Sequence, residues 1–378
     1  MPRMPAPKTP VLIEHFAELE DPRLLGKCRH KLLDMLVIAV SGMLCNADDW
    51  VTIAQFGRAK EAWFRTFLEL PNGIPSHDTF SRVFSLLDPQ AFAQCFSTWM
   101  QAVNETIQGV VALDGKTLRG SYDAADARAA IHIVSAWSVE NRIVLGQVKT
   151  DEKSNEITAI PELLKVLALE GCLVTTDAMG CQRAIAEDIV AQGGDYLLAI
   201  KDNQPRLFEA VLKAFEHAEA EAPETMSTYS TTARGHGRQE IRHYATLPLP
   251  DEFDPTLTER WASLKTLAVV EAVRTVGDTT TSAFRYFISS ADLEVERFAH
   301  AARGHWDIEN GLHWVLDVTF GEDASRVRKG HGAENLARLR HIALNILKAD
   351  QSMKLGVKNK RRVAGWDERY LAKLLLDI

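Results

Sequence analysis

The chain has 378 residues, 46% of them hydrophobic and 25% charged, with a formal net charge of −8. That is an ordinary globular composition with room for two or three structural units, and no apolar run reaches the roughly 20 residues of a membrane span. The acidic total argues against a protein that merely coats nucleic acid, because polyanion binding draws on Lys and Arg to release counterions.

The start, Met1 to Pro10, is Pro-rich and lacks the apolar core of a secretory signal. Cys28, Cys45, Cys95, Cys172 and Cys181 form no CxxC pair and have no metal-ligand histidines nearby, as expected of a reduced cytoplasm and no structural zinc. From about Val11 to Gln108 apolar residues recur on a helical period, in Lys31 to Cys45, Trp50 to Leu70 and Pro89 to Val103. Pro71-Asn72-Gly73 predicts a sharp turn, and Ser76 or Asp78 can cap a helix that begins near Thr79. Phe80 to Leu87, with Arg82 exposed, fits either the recognition helix of a helix-turn-helix or an ordinary packed helix.

At Gly109 the pattern changes. Val110 to Leu113 is a short apolar strand ending at Asp114, and Ile131 to Ser138 with Arg142 to Lys149 form a hairpin around Glu140-Asn141. A helix over Ile160 to Glu170 follows, then a strand over Cys172 to Thr176 ending at Asp177. A helix over Gln182 to Gln192 and a strand over Tyr196 to Ile200, ending at Lys201, come next. This order implies a mixed sheet flanked by helices. After a helix over Gln204 to Ala222, Met226 to Tyr244 and Leu264 to Ser290 are rich in strand-forming residues and read as a β-rich insertion. Helical character returns near Leu293. The expected units are 1–108, helical and a candidate for DNA binding; 109–222, the first part of the mixed-sheet core; 223–292, the insertion; and 293–378, the last part of that core with basic helices.

Charge is uneven along the chain. Ala324 to Arg362 holds eleven Lys or Arg against Glu334 and Asp350, a local net of +9 on an otherwise acidic body. There Arg338, His341, Asn345 and Lys348 share one side of a predicted helix, opposite Leu336, Leu339, Ala343 and Ile346. Lys358 to Arg362 extends that side as a flexible-looking tract. The block fits a phosphate footprint or a plain solvated face. The Gly235-His236-Gly237-Arg238 segment, beside Arg234 and Arg242, fits a backbone contact or a plain hairpin loop.

Asp114 and Asp177 each close an apolar strand, and in such sheets functional groups gather at the carboxyl ends of strands. The third acid, Glu309, lies in Arg303 to Trp314, where Trp306, Glu309 and His313 recur at helical spacing. Three carboxylates meeting from two strands and a helix suit hard divalent cations. A pair of ions about 4 Å apart would serve an in-line displacement at phosphorus. Lys116 and Lys201 are placed to touch a phosphate or to be ordinary surface charges.

These strings carry a family likeness. Leu113-Asp114-Gly115-Lys116-Thr117-Leu118-Arg119-Gly120, Thr176 to Gln182, Lys201 to Gln204 and His305 to Trp314 resemble the ISAs-type insertion-sequence transposases, the group that includes the H-repeat-associated proteins of enteric bacteria. Asp21-Pro22-Arg23 and Ile74 to Phe80 resemble the helical segment accompanying that catalytic domain, so the likeness spans nearly the whole chain. It implies an RNase H-like fold with a DDE triad on Asp114, Asp177 and Glu309, using Mg²⁺ or Mn²⁺, two ions in all. It further implies nicking of double-stranded DNA at element ends, attack of the freed 3′-hydroxyl on target DNA, a homodimer holding two ends, and a cytoplasmic protein. The Tyr-x2-Arg-x3-Glu-x6-Lys signature of the wider IS-four superfamily would fall on Ala302, His305, Glu309 and Leu316, so only its Glu is kept. Candidate DNA contacts are Lys116, Arg119, Lys201, Arg238, Arg303, His305, His313, Arg326, Arg328, Lys329 and Arg338. The competing reading is a transposase-derived DNA-binding protein that has lost catalysis; a two-carboxylate glycosidase fits poorly beside three acids and a basic block.

Overall fold

The computed structural model of the chain describes residues 11–103, 108–122, 129–150, 156–235 and 237–376. The Pro-rich start and His236 lie outside the described residues.

The N-terminal part is helical, with its main helices at Leu32–Leu44, Trp50–Ala59, His77–Leu86 and Pro89–Val103. The stretch predicted as continuous from Trp50 is broken after Ala59, and a separate short helix occupies Glu61–Phe64. Asp49 starts the first of these with a capping box shared with Thr52, and Ser76 starts His77–Leu86 by accepting the Thr79 N–H at 3.3 Å. The latter helix keeps Arg82 exposed and buries Phe80 and Phe84 against Trp50.

Among the described residues nine strands form one sheet: β1 Gly109–Leu118, β2 Ile131–Ser138, β3 Ile143–Lys149, β4 Cys172–Thr176, β5 Asp195–Ile200, β6 Ser227–Gly235, β7 Arg238–Pro248, β8 Thr266–Val276 and β9 Thr279–Ser289. Their order is β3-β2-β1-β4-β5-β9-β8-β7-β6. β1, β4 and β5 run parallel to one another, and β4 is buried at every position, as a central parallel strand with both faces covered should be. The segment expected as an insertion adds four strands to this same sheet, joined where β9 pairs antiparallel with β5 from Leu197↔Ser289 to Ile200↔Tyr286. The helix predicted over Ile160 to Glu170 instead spans Glu156–Leu164. The residues after Leu164 tighten into turns of the Leu167 N–H to Leu164 O kind, and the chain then reverses at Gly171, φ +74°.

Both faces of the sheet carry apolar layers. Val111, Leu113, Val174 and Leu198 belong to the large core shared with most of the helices. Val110, Leu173, Leu197, Tyr244 and Phe287 form a smaller layer under Phe298 of the Val295–His305 helix.

The basic C-terminal helices depart most from expectation. Gly332–Ala349 lies at the centre of the molecule, packed against β3 and the Leu32–Leu44, His77–Leu86, Pro89–Val103 and Val357–Trp366 helices. Its polar side therefore meets protein instead of solvent. Arg338 is 1% exposed, bonded to Asn335 at 3.3 Å and paired with Glu334 at 3.5 Å, which removes it from the candidate DNA contacts. Asn345 donates to the Val144 carbonyl at 2.8 Å. The flexible-looking Lys358 to Arg362 tract belongs to the Val357–Trp366 helix, where Lys360 and Arg361 are buried. Among the described residues no helix is long and apolar enough to cross a membrane.

Candidate active site

The two aspartates become neighbours through strand register. Parallel pairing of β1 with β4 runs from Gly109↔Cys172 to Leu113↔Thr176, and the next residue on each side is Asp114 and Asp177. β1 does not stop at Asp114 as its apolar run suggests. It continues to Leu118 against β2 alone, with Asp114 opposite Ser135, because β4 has already turned away and no apolar neighbour is needed on that side. Gly115 is fixed by what lies over it: a Cβ there would fall 2.1 Å from Glu156 Oε1 and 2.3 Å from His132 Nε2, two groups bonded to each other at 2.7 Å.

Glu309 arrives on an unusual turn. After the Val295–His305 helix the chain forms a π-helical turn, Glu309–His313, before continuing as Trp314–Phe320. Such one-residue bulges concentrate at functional sites because they re-aim side chains that a regular helix would place elsewhere. The turn lies flat on Trp137: a Cβ on Gly311 would come within 2.8 Å of that ring. Consequently Glu309 and Trp306 are exposed, whereas His313 points inward, 5% exposed, with Nε2 3.2 Å from Asp114 Oδ2. His313 was a candidate DNA contact from the sequence. In the structure it holds the Asp114 carboxylate from beneath.

Asp114, Asp177 and Glu309 line a single crevice of about 250 Å³. Its floor consists of alternate residues of adjacent strands, Thr175 of β4, Leu197 and Ala199 of β5, and Arg285 and Phe287 of β9, with Lys201 just past the end of β5. Its wall is Ala302, His305, Trp306 and Ile308. Asp177 is anchored through Oδ1, which accepts the N–H groups of Met179 at 2.9 Å and Gly180 at 3.2 Å. His305 bonds Thr175 Oγ1 at 3.0 Å. Burial pushes the His305 pKa down towards the neutral imidazole, against the pull of the Asp114 and Asp177 carboxylates. Arg285 stacks over the Trp306 ring, 4.6 Å from its centre. Nothing in the sequence marks Arg285, since its facing depends on strand register.

Among the described residues no three His, Cys, Asp or Glu side chains are gathered closely enough to hold a metal ion. The three acids thus share a crevice without forming a finished cage. As a donor set they suit a hard divalent cation: all are carboxylates, and two are braced, by backbone N–H groups and by an imidazole.

The remaining predicted contacts divide. Lys116 is turned away into acids, bonded to Glu322 at 2.8 Å and to Asp317, with Asp323 at 4.0 Å. Burial works against its charge, but these carboxylates outweigh that and hold its pKa above the usual lysine value. It ties the Asp114 strand to the helix following Glu309. Arg119 is 83% exposed beside Asp323, and Arg328 Nε donates to the Gly120 carbonyl at 3.3 Å, so Arg119 and the exposed Arg326, Arg328 and Lys329 share one surface. Arg303 is exposed on its helix, outside the crevice lining. Arg238, at the β6–β7 hairpin, pairs with Glu240 at 3.0 Å.

The family described as the transposase DDE domain matches residues 105–346, and the one described as DDE_Tnp_1-associated matches residues 13–100. Over 369 residues the chain is 44% identical to the "H repeat-associated putative transposase YhhI" of Escherichia coli K12, covering 96% of this chain and 97% of that one. It is 42% identical over 368 residues to the transposase-named YncI of Escherichia coli O157:H7, covering 96% and 94%. Similarity to the solved piggyBac transposase synaptic complex with hairpin DNA is remote, at a TM-score of 0.43 and 11% identity over 95% of this chain and 76% of that one. The chain belongs to the DDE transposase family.

Proposed function

We propose that this protein cleaves DNA strands at insertion-sequence ends and transfers them to target DNA, with Asp114, Asp177 and Glu309 as its catalytic acids. The observation that carries the reading is that these three residues, 63 or more positions apart in the chain, line one crevice. The β3-β2-β1-β4-β5 portion of the sheet, with two acids at the carboxyl edge of its central parallel pair, supports an RNase H-like core.

Asp114, Asp177 and Glu309 would hold Mg²⁺ or Mn²⁺, expected as a pair. Bound there, the metal supplies activation of the attacking hydroxyl and stabilisation of the leaving oxygen in an in-line displacement at phosphorus. The chain's own groups do the rest. The Met179 and Gly180 N–H groups fix one Asp177 oxygen, His313 fixes one Asp114 oxygen, and the cations Lys201 and Arg285 face the charge of a bound phosphodiester. Two copies would bring two element ends together.

The test is nicking of DNA bearing element ends in Mg²⁺, comparing the wild-type chain with Asp114→Asn, Asp177→Asn and Glu309→Gln. Each variant is expected to lose roughly 10³-fold or more in rate while still binding DNA. A wild-type protein that binds such DNA but cuts no faster than Asp114→Asn supports the competing reading, a DNA-binding descendant without catalysis.

A further inference from the structure

The four strands β6–β9 reach beyond the helices that cover the rest of the sheet. Most of β6, the first half of β9 and the outer end of β8 are exposed, with the Val295–His305 helix lying against β6 and β7. The two sides of this extension are chemically different, and strand register sorts them.

Tyr244, Val270 and Phe287 are buried under the Val295–His305 helix, so they define the side on which the crevice lies. Register partners share a side, and alternate residues along a strand return to it. Moving outward from Tyr244 on β7, that side carries Arg242, Glu240 and Arg238. On β8 it carries Arg274, opposite Glu240. On β9 it carries Arg285, opposite Val270, and Thr281, opposite Arg274. Four arginines therefore stand against one acid. Glu240 sits among them, bonded to Arg242 and paired with Arg238 at 3.0 Å. Burial works to raise the Glu240 pKa, but Arg242, Arg238 and Arg303 outweigh it and hold it below the usual range, which places Arg303 of the neighbouring helix in the same field. Arg274 is exposed and has no ion pair among the described residues.

On the other side the charges cancel. Arg234 of β6 and Glu271 of β8 stand among hydroxyl groups tied to neighbours: Ser230 to His243 at 2.9 Å, Ser282 to Glu271 at 2.7 Å and Thr275 to Thr280 at 3.0 Å. A sheet that only needed solubility would have no reason to place its arginines on one side. This side is also continuous with the crevice, since Arg285 belongs to both the arginine group and the crevice lining.

We propose that the crevice side of the β6–β9 extension is the surface on which DNA flanking the cut phosphate lies, held through its phosphates by Arg238, Arg242, Arg274 and Arg285. The inference rests on the reading above that the substrate is DNA. It adds where that DNA runs. Arginine forks suit phosphate oxygens, and such contacts position a duplex without reading its sequence.

The experiment measures binding of the full-length protein to an end-bearing duplex as a function of salt, for Arg242→Gln, Arg274→Gln, their double variant and the opposite-side Arg234→Gln. Each crevice-side change is expected to weaken binding alike for all sequences and to flatten the log-log salt slope by about 0.9, the double variant by about 1.8. Arg234→Gln should leave the slope unchanged. A second arm leaves the arginines intact and places a benzophenone-bearing residue at Thr281 or at Ser282, neighbours on opposite sides. Cross-linking to DNA from position 281 and none from 282 is expected. Wild-type slopes in both Arg274→Gln and Arg242→Gln, or equal cross-linking from the two positions, overturns the proposal. That failure is separate from failure of the catalytic reading, which rests on whether Asp114→Asn stops cutting.

Discussion

Two arginine-rich regions of this chain have opposite fates. The block from Ala324 to Arg362 is the most basic stretch of the sequence, yet four of its helical cations, Arg338, Arg340, Lys360 and Arg361, are buried, while Lys358 and Arg362 stay exposed. The β6–β9 segment has no such concentration, yet register collects four of its five strand arginines, all but Arg234, on one open side next to the crevice. Local charge density in a sequence therefore says little about the charge of a surface. Arginine has two uses, forked bonding to carbonyls and carboxylates inside a protein and to phosphates outside it. Only the tertiary partners decide which applies.

Substitutions can break or sharpen this contrast. The largest expected effect is at Arg361, 0% exposed, which donates to the Met43 carbonyl at 2.8 Å, to the Thr319 carbonyl and to Asp48. Arg361→Met would leave Asp48 without its partner and is expected to lower unfolding free energy by about 3–5 kcal/mol in urea titrations. If stability holds and DNA binding weakens instead, the inward reading of this block is wrong. Arg338→Met should lower stability by about 2–3 kcal/mol, because Glu334 and Asn335 lose their shared partner, and it should leave the DNA salt slope as in wild type.

A third effect is read from pH. Asp350 accepts from Ser352 and from Tyr370 at 2.8 Å and lies 3.4 Å from Lys360. Burial works against the carboxylate, but these bonds outweigh it and hold its pKa at about 2, below the ordinary 3.8. A depressed carboxylate stabilises the folded chain above the ordinary value and loses that contribution as pH falls from about 4 towards 2. Asp350→Asn should therefore be less stable than wild type by about 2 kcal/mol at neutral pH, with the gap closing below pH 4. A constant gap across that window would contradict the assignment. The smallest effect belongs to the exposed loop: Arg326→Gln, Arg328→Gln and Lys329→Gln should each shift stability by no more than about 0.5 kcal/mol. Any effect they have should appear in DNA affinity, read by anisotropy.

What the sequence made legible follows the same division. Strand-end acids were readable, because Val110 to Leu113 and Cys172 to Thr176 are short apolar runs that stop at Asp114 and Asp177. The mixed sheet was readable from the order of its elements. The inward fate of Arg338, Lys360 and Arg361 was not, because a helical period assigns polar positions to solvent unless buried partners are known. For Arg361 the partner Asp48 lies 313 residues away, whereas Arg338 and Lys360 bond to groups within 13 residues of themselves, and only the tertiary packing around those groups buries them. Lys116 misled for the same reason, its acids lying about two hundred positions downstream. The π-helical turn at Glu309 leaves no mark in the spacing, yet it separates the directions of Glu309 and His313. Arg285 required the pairing of β9 with β5 and β8 before its side of the sheet could be known.

The ladder between β5 and β9 has one more implication. Since the outer strands are hydrogen-bonded to the strands that floor the crevice, no linker separates the two parts of the molecule. Anything seated on the outer strands keeps a fixed offset from the acids, measured in strand spacings of about 4.8 Å. The position of a cut relative to the grip would then be set by a ruler of backbone hydrogen bonds, and lengthening a surface loop could not retune it.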